Sequence, residues 1–168
     1  MKRIIICGPC AAGKDFLKTR LKKKGYNVDV SYTTRLPREE EVNGVDYHFI
    51  SEKEFMDDSM EFYEYVKHGE YYYGTGLDEW KNCDVFIMET EGIKSINSED
   101  RKDCLILYLN PSKDVRFERL WVNGRNWSYG KISDRFEIDD EKFKDFTDFD
   151  IEISSEKVPP AFGLTHYK

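Results

Sequence analysis

The sequence lacks any apolar run near the roughly 18 residues that a membrane-spanning helix needs. Its first residues also lack the regions of a secretory signal. Positive charge is not in excess, because 26 Lys and Arg residues stand against 33 Asp and Glu residues, for a net charge of −7. Such a chain has no overall field to attract a nucleic acid backbone. We therefore expect a cytoplasmic protein that binds neither membranes nor nucleic acids and holds anions only at local sites.

The cysteine content and the length limit the kind of fold that the chain can form. The four cysteines, Cys7, Cys10, Cys83 and Cys104, are too few for a disulfide framework and are expected to be reduced thiols in a cytoplasmic protein. A length of 168 residues fits one domain with a single hydrophobic core. We expect a monomer or a weak dimer.

Short apolar runs alternate with helical patterns along the chain. Runs rich in β-branched and other apolar residues are typical of strands buried in a parallel sheet. The predicted strands are 2–7, 84–88, 104–109 and 150–153. The predicted helices are 14–24, 111–122 and 131–146, with 123–130 as a loop. This alternation indicates a three-layer α/β/α domain with a parallel core sheet.

Residues 31–79 interrupt the alternation. Tyrosines are frequent there, and the pieces 46–50 and 71–73 have the composition of extended chain. Ser51 and Glu54 form a capping-box pattern at the start of a short helix. The segment is therefore predicted to be an insertion of mixed α and β structure.

A glycine-rich loop follows the first predicted strand. Residues 8–14, Gly-Pro-Cys-Ala-Ala-Gly-Lys, have the spacing G-x-x-x-x-G-K between a strand and a helix. In this motif the backbone N–H groups and the helix N-terminus hold a polyphosphate, and Lys14 reaches its outer phosphates. Asp15 stands where Ser or Thr usually binds Mg²⁺; a carboxylate is also an Mg²⁺ ligand, but its charge opposes that of the phosphates. A plain turn capped by Asp15 is the alternative from the loop alone.

The residues Cys7-Gly8-Pro9-Cys10 give the same segment a second interpretation. They match the thioredoxin active-site tetrapeptide, and a thiolate at a helix N-terminus would be reactive. A redox protein, however, gives no reason for Gly13 and Lys14 or for the arginines farther along the chain. Redox catalysis is therefore a remote alternative. Oxidation of Cys7 and Cys10 to a disulfide that distorts the loop is a separate hypothesis.

The most specific stretch is residues 33–50, TTRLPREEEVNGVDYHFI. It resembles the GMP-binding signature of guanylate kinases, T-[ST]-R-x-x-[RK]-x-x-[DE]-x-x-G-x-x-Y-x-[FY], at every defined position. Arg35 and Arg38 can converge on a phosphate dianion, which needs planar, charge-assisted donors. The resemblance implies that two tyrosines also bind the GMP phosphate and that one carboxylate orients the arginines: Tyr47, Tyr73 and Glu41.

Residues 61–65 and 72–75 resemble the segments that line the base pocket in the same family. Guanine presents its N1–H and N2–H₂ donors side by side, and one ionised carboxylate can accept both hydrogen bonds. Glu64 matches this role. The resemblance places further hydroxyls on the other side of the base and an acid near the guanine amino group: Ser31, Thr75 and Glu89.

Residues 114–135 resemble the family's lid. The resemblance assigns Arg119 and Arg125 to the ATP phosphates and Arg135 to a bridge between donor and acceptor, with lid closure bringing them in. Arg116 is expected to lie on the surface. The implied catalytic residues are Lys14, Arg119, Arg125 and Arg135. The implied ATP-binding residues are Gly8, Pro9, Cys10, Ala11, Ala12, Gly13, Lys14, Asp15, Phe16 and Ser155.

The resemblance spans about residues 1–156 and implies the P-loop NTPase-type α/β/α fold with a GMP-binding insertion and a small lid. The expected parts are a single domain at 1–156, with a core at 1–30, 80–118 and 136–156, a GMP-binding subdomain at 31–79 and a lid at 119–135, followed by a tail at 157–168.

The activity that the resemblance implies is transfer of the γ-phosphoryl group from ATP to GMP or dGMP, with Mg²⁺ as cofactor and Asp15 as its ligand. Ile87 stands where guanylate kinases usually place an Asp. Either Asp15 compensates for that loss, or the enzyme is weak or inactive and still binds nucleotide. The alternative function is a non-catalytic guanylate-kinase-like module that binds a nucleotide or a protein partner.

Overall fold

The computed structural model describes residues 3–122 and 128–154. The strands are β1 (Arg3–Cys7), β2 (Tyr32–Thr33), β3 (His48–Phe49), β4 (Phe62–His68), β5 (Tyr71–Gly76), β6 (Val85–Ile87), β7 (Cys104–Leu109) and β8 (Ile151–Ile153). The helices are α1 (Lys14–Lys23), α2 (Glu52–Phe55), α3 (Leu77–Asn82), α4 (Thr90–Ser95), α5 (Ser98–Lys102), α6 (Lys113–Val122) and α7 (Tyr129–Phe143). None of the helices in these ranges is long and apolar enough to cross a bilayer.

The core sheet has the strand order β6-β1-β7-β8, and every pair in it is parallel. Its centre is β1, where Ile5 lies opposite Phe86 on one side and Ile106 on the other. All three side chains are fully buried. Apolar, β-branched residues suit a strand that is covered on both faces. The predicted α/β/α class with a parallel core sheet is confirmed.

A second sheet lies within the insertion, in the order β3-β2-β5-β4. Strand β2 is parallel to β3 and antiparallel to β5, and β4 is antiparallel to β5. This agrees with the predicted mixture of α and β structure. Tyr63 of β4 stacks on Trp80 of α3 with ring centroids 3.8 Å apart, and Trp80 contacts Phe86 at 5.0 Å. This aromatic column anchors the second sheet to the core sheet.

The bounds of α6 and α7 differ from the prediction by two or three residues at an end, and α1 ends one residue early, at Lys23. Helix α6 begins at Lys113 rather than at residue 111. Helix α7 covers Tyr129–Phe143 rather than 131–146, and it begins within the predicted loop because the Ser128 side chain accepts a hydrogen bond from the Lys131 N–H. A serine in this position satisfies an N–H group that would otherwise lack a partner at the helix start. The capping box of Ser51 and Glu54 at α2 is present as predicted.

Candidate active site

The glycine-rich loop connects β1 to α1 and passes under the end of β7. Gly8 has φ of 153°, and a Cβ at this position would lie 2.3 Å from the carbonyl oxygen of Leu109. Only glycine allows this approach of two backbones. Lys14 Nζ donates hydrogen bonds to the carbonyl oxygens of Gly8 at 2.6 Å and Pro9 at 3.2 Å. Lys14 therefore lies over the loop whose polyphosphate ligand it is predicted to contact.

A buried ion pair supports the loop from below. Asp139 Oδ2 accepts hydrogen bonds from Cys10 N–H and from Arg116 Nη1, each at 2.9 Å. The side chains of Arg116 and Asp139 are only 4% and 2% exposed. The expectation that Arg116 lies on the surface is wrong, because the packing of α6 on α7 places its guanidinium over the Phe136 ring. Arg116 precedes the buried residues Arg119 and Leu120 by three and four positions. This helical spacing was the sequence signal that Arg116 shares their buried face.

The lid arginines have different surroundings. Arg119 Nη1 donates to the carbonyl oxygens of Ala11 at 2.8 Å and Ala12 at 3.0 Å, so this side chain packs against the loop. Arg135 Nη1 lies 2.9 Å from His68 Nε2 of β4, and its Nε lies 3.4 Å from Asp139 Oδ1. Arg135 thus lies between the loop and the insertion. Arg125 and Ser155 are outside the described residues.

The predicted phosphate clamp is assembled around Glu41. Its carboxylate accepts hydrogen bonds from Arg35 Nη1 at 2.8 Å and Nη2 at 3.0 Å, and from the backbone N–H and Nη1 of Arg38 at 2.8 and 3.2 Å. The Arg35 guanidinium lies 5.5 Å from the centroid of the Tyr47 ring, and the Tyr47 and Tyr73 rings meet edge to face at 6.1 Å. The structure therefore brings all five of these residues together.

Charge fixes the protonation states of the clamp. Burial alone would lower the pKa of Arg35 and raise that of Glu41, but their ion pair outweighs burial, so the pKa of Arg35 is raised and that of Glu41 is lowered. Burial raises the pKa of Tyr47, and the nearby charge of Asp15 raises it further. At neutral pH Tyr47 therefore keeps its proton, Arg35 is positively charged and Glu41 is negatively charged.

The predicted base-binding residues lie in a row across the second sheet. Glu64 of β4 pairs in register with Thr75 of β5, and Thr75 Oγ1 donates to Glu64 Oε1 at 2.9 Å. Tyr32 lies opposite Gly74, so continuing the register by one residue places Ser31 opposite Thr75. Burial raises the pKa of Glu64 to about 7. A Cβ at Gly92 would lie 2.7 Å from Glu64 Oε2, so this glycine leaves the carboxylate its space.

Glu89 is held by a lysine that sequence reasoning missed. Lys142 Nζ of α7 lies 2.5 Å from Glu89 Oε2 and 3.4 Å from Glu91 Oε2. Burial alone would raise the pKa of Glu89, but the charges of Lys14 and Lys142 outweigh it and lower the pKa. Glu89 is therefore bonded to α7 and lies within electrostatic range of Lys14. A single Lys in a helix rich in charges carries no sequence signal for such a role.

The cysteines do not have the environment of a redox site. Burial raises the pKa of the Cys7 thiol to about 12, and Cys7 has no exposed surface. All four cysteines are free, as expected. A thiol of such high pKa is a poor nucleophile because little thiolate forms at neutral pH. The thioredoxin-like alternative therefore has no support in this site.

The surroundings of Asp15 suit Mg²⁺ held together with phosphates. Within residues 3–122 and 128–154, no group of three or more His, Cys, Asp or Glu side chains could hold a metal ion by itself. Mg²⁺ in phosphoryl-transfer sites is usually bound by one or two carboxylates, phosphate oxygens and water. Asp15 is an exposed carboxylate in the first turn of α1, directly after Lys14. Its position and chemistry fit that ligand role. Phe16, the next residue, is partly buried under the Arg20 guanidinium.

Comparison with known proteins agrees with this geometry. The sequence model of the family described as "Guanylate kinase" matches residues 1–162. The guanylate kinase of Buchnera aphidicola is 34% identical over 169 residues, which cover 94% of this chain and 81% of the relative. That of Clostridioides difficile is 33% identical over 165 residues, covering 92% and 80%.

A solved structure shares the fold. The crystal structure of guanylate kinase from Anaplasma phagocytophilum matches with a TM-score of 0.67 and 18% identity, over 92% of this chain and 77% of that one. The parallel core sheet with its loop between β1 and α1 is accordingly of the P-loop NTPase type. Together with the family match over nearly the whole sequence, this shows that the chain belongs to the guanylate kinase family.

Proposed function

We propose that this nucleoside monophosphate kinase transfers the γ-phosphoryl group of ATP to GMP, and also to dGMP, giving ADP and the nucleoside diphosphate. The observation that carries the proposal is the arrangement of the insertion. One sheet presents an arginine clamp ordered by Glu41 and, on neighbouring strands, the row of Glu64, Thr75 and Ser31. A monophosphate group and a guanine base need these two kinds of contact.

On the acceptor side, Arg35 and Arg38 bind the GMP phosphate through charge-assisted hydrogen bonds. Glu41 orients both arginines before the nucleotide arrives, so less conformational entropy is lost on binding. Tyr47 and Tyr73 direct their hydroxyls to the same phosphate. Glu64, as a carboxylate, accepts from guanine N1–H and N2–H₂.

On the donor side, the loop at residues 8–14 and the N-terminus of α1 hold the ATP phosphates. Lys14 binds the outer phosphates, and Phe16 and Ser155 contribute to the nucleoside site. Arg119, Arg125 and Arg135 neutralise charge on the group in transfer, with Arg135 between the two nucleotides. Phosphoryl transfer depends chiefly on such positioning and charge neutralisation.

Guanylate kinases are ATP-dependent kinases that generally use a metal ion, and we assign Mg²⁺ to Asp15. When bound, Mg²⁺ lowers the charge repulsion between the phosphates and the attacking oxygen. Asp15 contributes the protein oxygen ligand, and phosphate oxygens and water complete the coordination. This arrangement compensates for Ile87, which has no oxygen to offer at the end of β6.

The remaining expectations are also part of the proposal. They are a cytoplasmic monomer or weak dimer that acts on free nucleotides, and a single domain at residues 1–156 with a GMP-binding subdomain at 31–79, a lid at 119–135 and a tail at 157–168. The free cysteines and the local character of the anion sites are compatible with these expectations.

A coupled ADP-release assay tests the proposed reaction. ATP and Mg²⁺ are supplied with a panel of monophosphates: GMP, dGMP, AMP, CMP and UMP. We expect turnover with GMP and dGMP and little with the others. Binding of GMP without ADP release would instead support the non-catalytic module, and absence of both binding and turnover with GMP and dGMP would contradict the acceptor assignment.

A further inference from the structure

Beside the base-binding row lies a buried acid that the proposed reaction does not use. Ser31 Oγ donates a hydrogen bond to Asp29 Oδ2 at 2.5 Å, while on the neighbouring strands Thr75 Oγ1 donates to Glu64 Oε1 at 2.9 Å. The site therefore contains two carboxyl–hydroxyl pairs side by side. In each pair the hydroxyl hydrogen points to its carboxylate, so the hydroxyl oxygen offers only acceptor capacity to a base.

The backbone of Asp29 is held by a hydrogen bond, but one oxygen of its carboxylate has no hydrogen-bond partner in the described part of the chain. Its side chain is 0% exposed, its backbone N–H donates to the Val85 carbonyl at 2.9 Å, and its Oδ1 has no hydrogen-bond partner among the described residues. A buried carboxylate oxygen without a partner costs free energy while the group is ionised. A proton on Asp29 removes that cost.

Charged groups from several elements act on Asp29. Lys18 of α1 and His48 of β3 favour the carboxylate, and Glu79 of α3 opposes it. Glu64 of β4 is a second acid within interaction range of Asp29. With Glu64 and Glu79 near Asp29 and Lys18 as its counter-charge, binding of a neutral base edge selects whether Asp29 or Glu64 carries a proton.

The protonation of Asp29 sets the direction of the Ser31 hydroxyl. When Asp29 is ionised, Ser31 donates to it and can only accept from a base. When Asp29 is protonated, its O–H donates to Ser31 Oγ, and the Ser31 hydrogen is released to donate to a base. Guanine carries an oxygen acceptor at C6, beside the N1–H that Glu64 takes, and therefore requires the second arrangement.

We propose that Asp29 is a specificity-determining residue of this site, which binds guanine with Asp29 protonated and Glu64 ionised, so that Ser31 donates to the C6 oxygen of the base. The inference rests on the proposed function, because it takes GMP as the acceptor. Asp29 acts through Ser31 and does not touch the reacting atoms. GMP binding above neutral pH is therefore accompanied by uptake of a proton at Asp29.

In the free site Glu64 holds a proton more tightly than Asp29, so guanine binding must reverse that order. Burial raises the pKa of Asp29 to about 6 and that of Glu64 to about 7, and the charge of Asp29 adds to the effect on Glu64. At pH 8 both acids are ionised in the free protein, so Asp29 must gain a proton when GMP binds. The affinity for GMP should fall as pH rises above the pKa of Asp29.

The test compares the wild-type protein with Asp29→Asn between about pH 6 and pH 8.5. An amide is uncharged and can donate to Ser31 at every pH. Asp84→Asn is the matched control, because Asp84 is a buried acid that bonds Asn27 N–H on the same edge of the core sheet, away from the row. KM for GMP and for ATP is measured for each protein, and the ratio of wild type to variant cancels titration of the GMP phosphate.

We expect KM for GMP of wild type relative to Asp29→Asn to rise about a hundredfold across this range, because each pH unit above the pKa of Asp29 lowers its protonated fraction about tenfold. The same ratio for ATP should stay level, and so should the ratios of wild type to Asp84→Asn for both substrates. A pH-independent GMP ratio would overturn the inference. If Asp29→Asn does not fold, Asp29→Ser replaces it, since a hydroxyl can also donate to Ser31 without charge.

Proton uptake gives a second measurement that needs no turnover. Calorimetry of GMP binding at about pH 8, in two buffers of different ionisation enthalpy, should show greater proton uptake for the wild type than for the Asp29 variant. Equal uptake would contradict the inference even if the enzyme is active. Absence of GMP turnover together with Asp29-linked uptake would contradict the proposed reaction and leave the role of Asp29 intact.

Discussion

At the scale of single residues, Arg35 and Glu41 form a mostly buried ion pair in the acceptor site. Their side chains are 14% and 15% exposed, and the pair is bidentate. A phosphate dianion can share the remaining donors of Arg35 and Arg38 without displacing Glu41, because a guanidinium has five N–H groups. Lys14 has no contact of this kind with the clamp and instead bonds the loop carbonyls.

Substitution of these two cations should therefore affect the two nucleotides differently. Arg35→Ala should raise KM for GMP about 30- to 100-fold, the equivalent of one or two lost charged hydrogen bonds, and leave KM for ATP nearly unchanged. Lys14→Ala should weaken ATP binding and slow turnover, with a small effect on GMP binding. Initial-rate kinetics with each substrate varied in turn gives both constants.

Arg101→Ala is the matched control for Arg35→Ala. Arg101 also pairs with carboxylates, Asp148 and Asp150, but it lies in α5, far along the chain from the clamp. It should alter stability more than either KM. Equal losses for GMP and ATP in both site variants would argue against separate donor and acceptor sites.

Residues in a sequence signature could be predicted, while residues that act through folded contacts could not. Arg35, Arg38, Glu41 and Tyr47 are brought together as expected, because their spacing encodes one local structure, and pairing of β5 with β2 adds Tyr73. By contrast, the surroundings of a charged helix residue depend on which distant part of the chain packs against it. Three such residues were missed or misjudged for this reason: Arg116, Asp139 and Lys142.

Helix α7 explains these misses at the scale of elements. Arg135, Asp139 and Lys142 follow at intervals of four and three residues, so they share one face of the helix. That face contacts His68, the loop at Cys10 and the acid Glu89. A charged stripe normally indicates a solvated face. Here it faces the site, because the helix lies against polar groups of the loop and the insertion.

The buried pair of Arg116 on α6 and Asp139 on α7 gives a prediction for these two elements. Arg116→Leu alone leaves Asp139 without its buried partner and should lower the free energy of unfolding by about 3 to 5 kcal/mol. Asp139→Ala alone should cost a similar amount. The double variant should recover a large part of the loss, because both buried charges are gone. Urea unfolding of the four proteins measures this cycle.

Activity provides the control for the same cycle. Asp139 also accepts from Cys10 N–H in the loop, so both variants without Asp139 should keep a raised KM for ATP. The Arg116→Leu protein should not share this defect to the same extent. Purely additive losses of stability would show that the two side chains are not coupled through their ion pair.

Strand positions were more predictable than helix ends and sheet pairing. The apolar runs of β1 and β7 mark their strands closely, because a buried parallel strand needs little besides β-branched and apolar residues. The start of α7 depends on one hydroxyl, that of Ser128. Strands β2 and β3 have two residues each and form through pairing with distant segments, which a local pattern does not encode.

At the scale of the whole molecule, α7 connects three parts of the site. Asp139 contacts the phosphate loop, Lys142 contacts the acid after β6, and Arg135 contacts His68 on the insertion. The donor and acceptor sides are thus joined by one helix that belongs to neither. Movement of the insertion relative to the loop must alter the contact of Arg135 with His68, since His68 belongs to the insertion and Arg135 to the helix that contacts the loop.

The contact between Arg135 of α7 and His68 of the insertion should make the free energy of unfolding depend on pH. Burial lowers its pKa, and the charges of Lys142 and Arg135 lower it further, although Glu89 and Glu91 oppose them. A histidine whose pKa is lower in the folded state contributes stability that is complete above about pH 6.5 and is lost as pH falls. His68→Gln keeps an acceptor for Arg135 but cannot be protonated, so the stability of wild type relative to this variant should decrease between about pH 7.5 and pH 5. Urea midpoints at both pH values measure the difference, with His48→Gln, a histidine of the same sheet near Glu79, as the control. If wild type and His68→Gln lose stability in parallel as pH falls, protonation of His68 is not the cause of the loss.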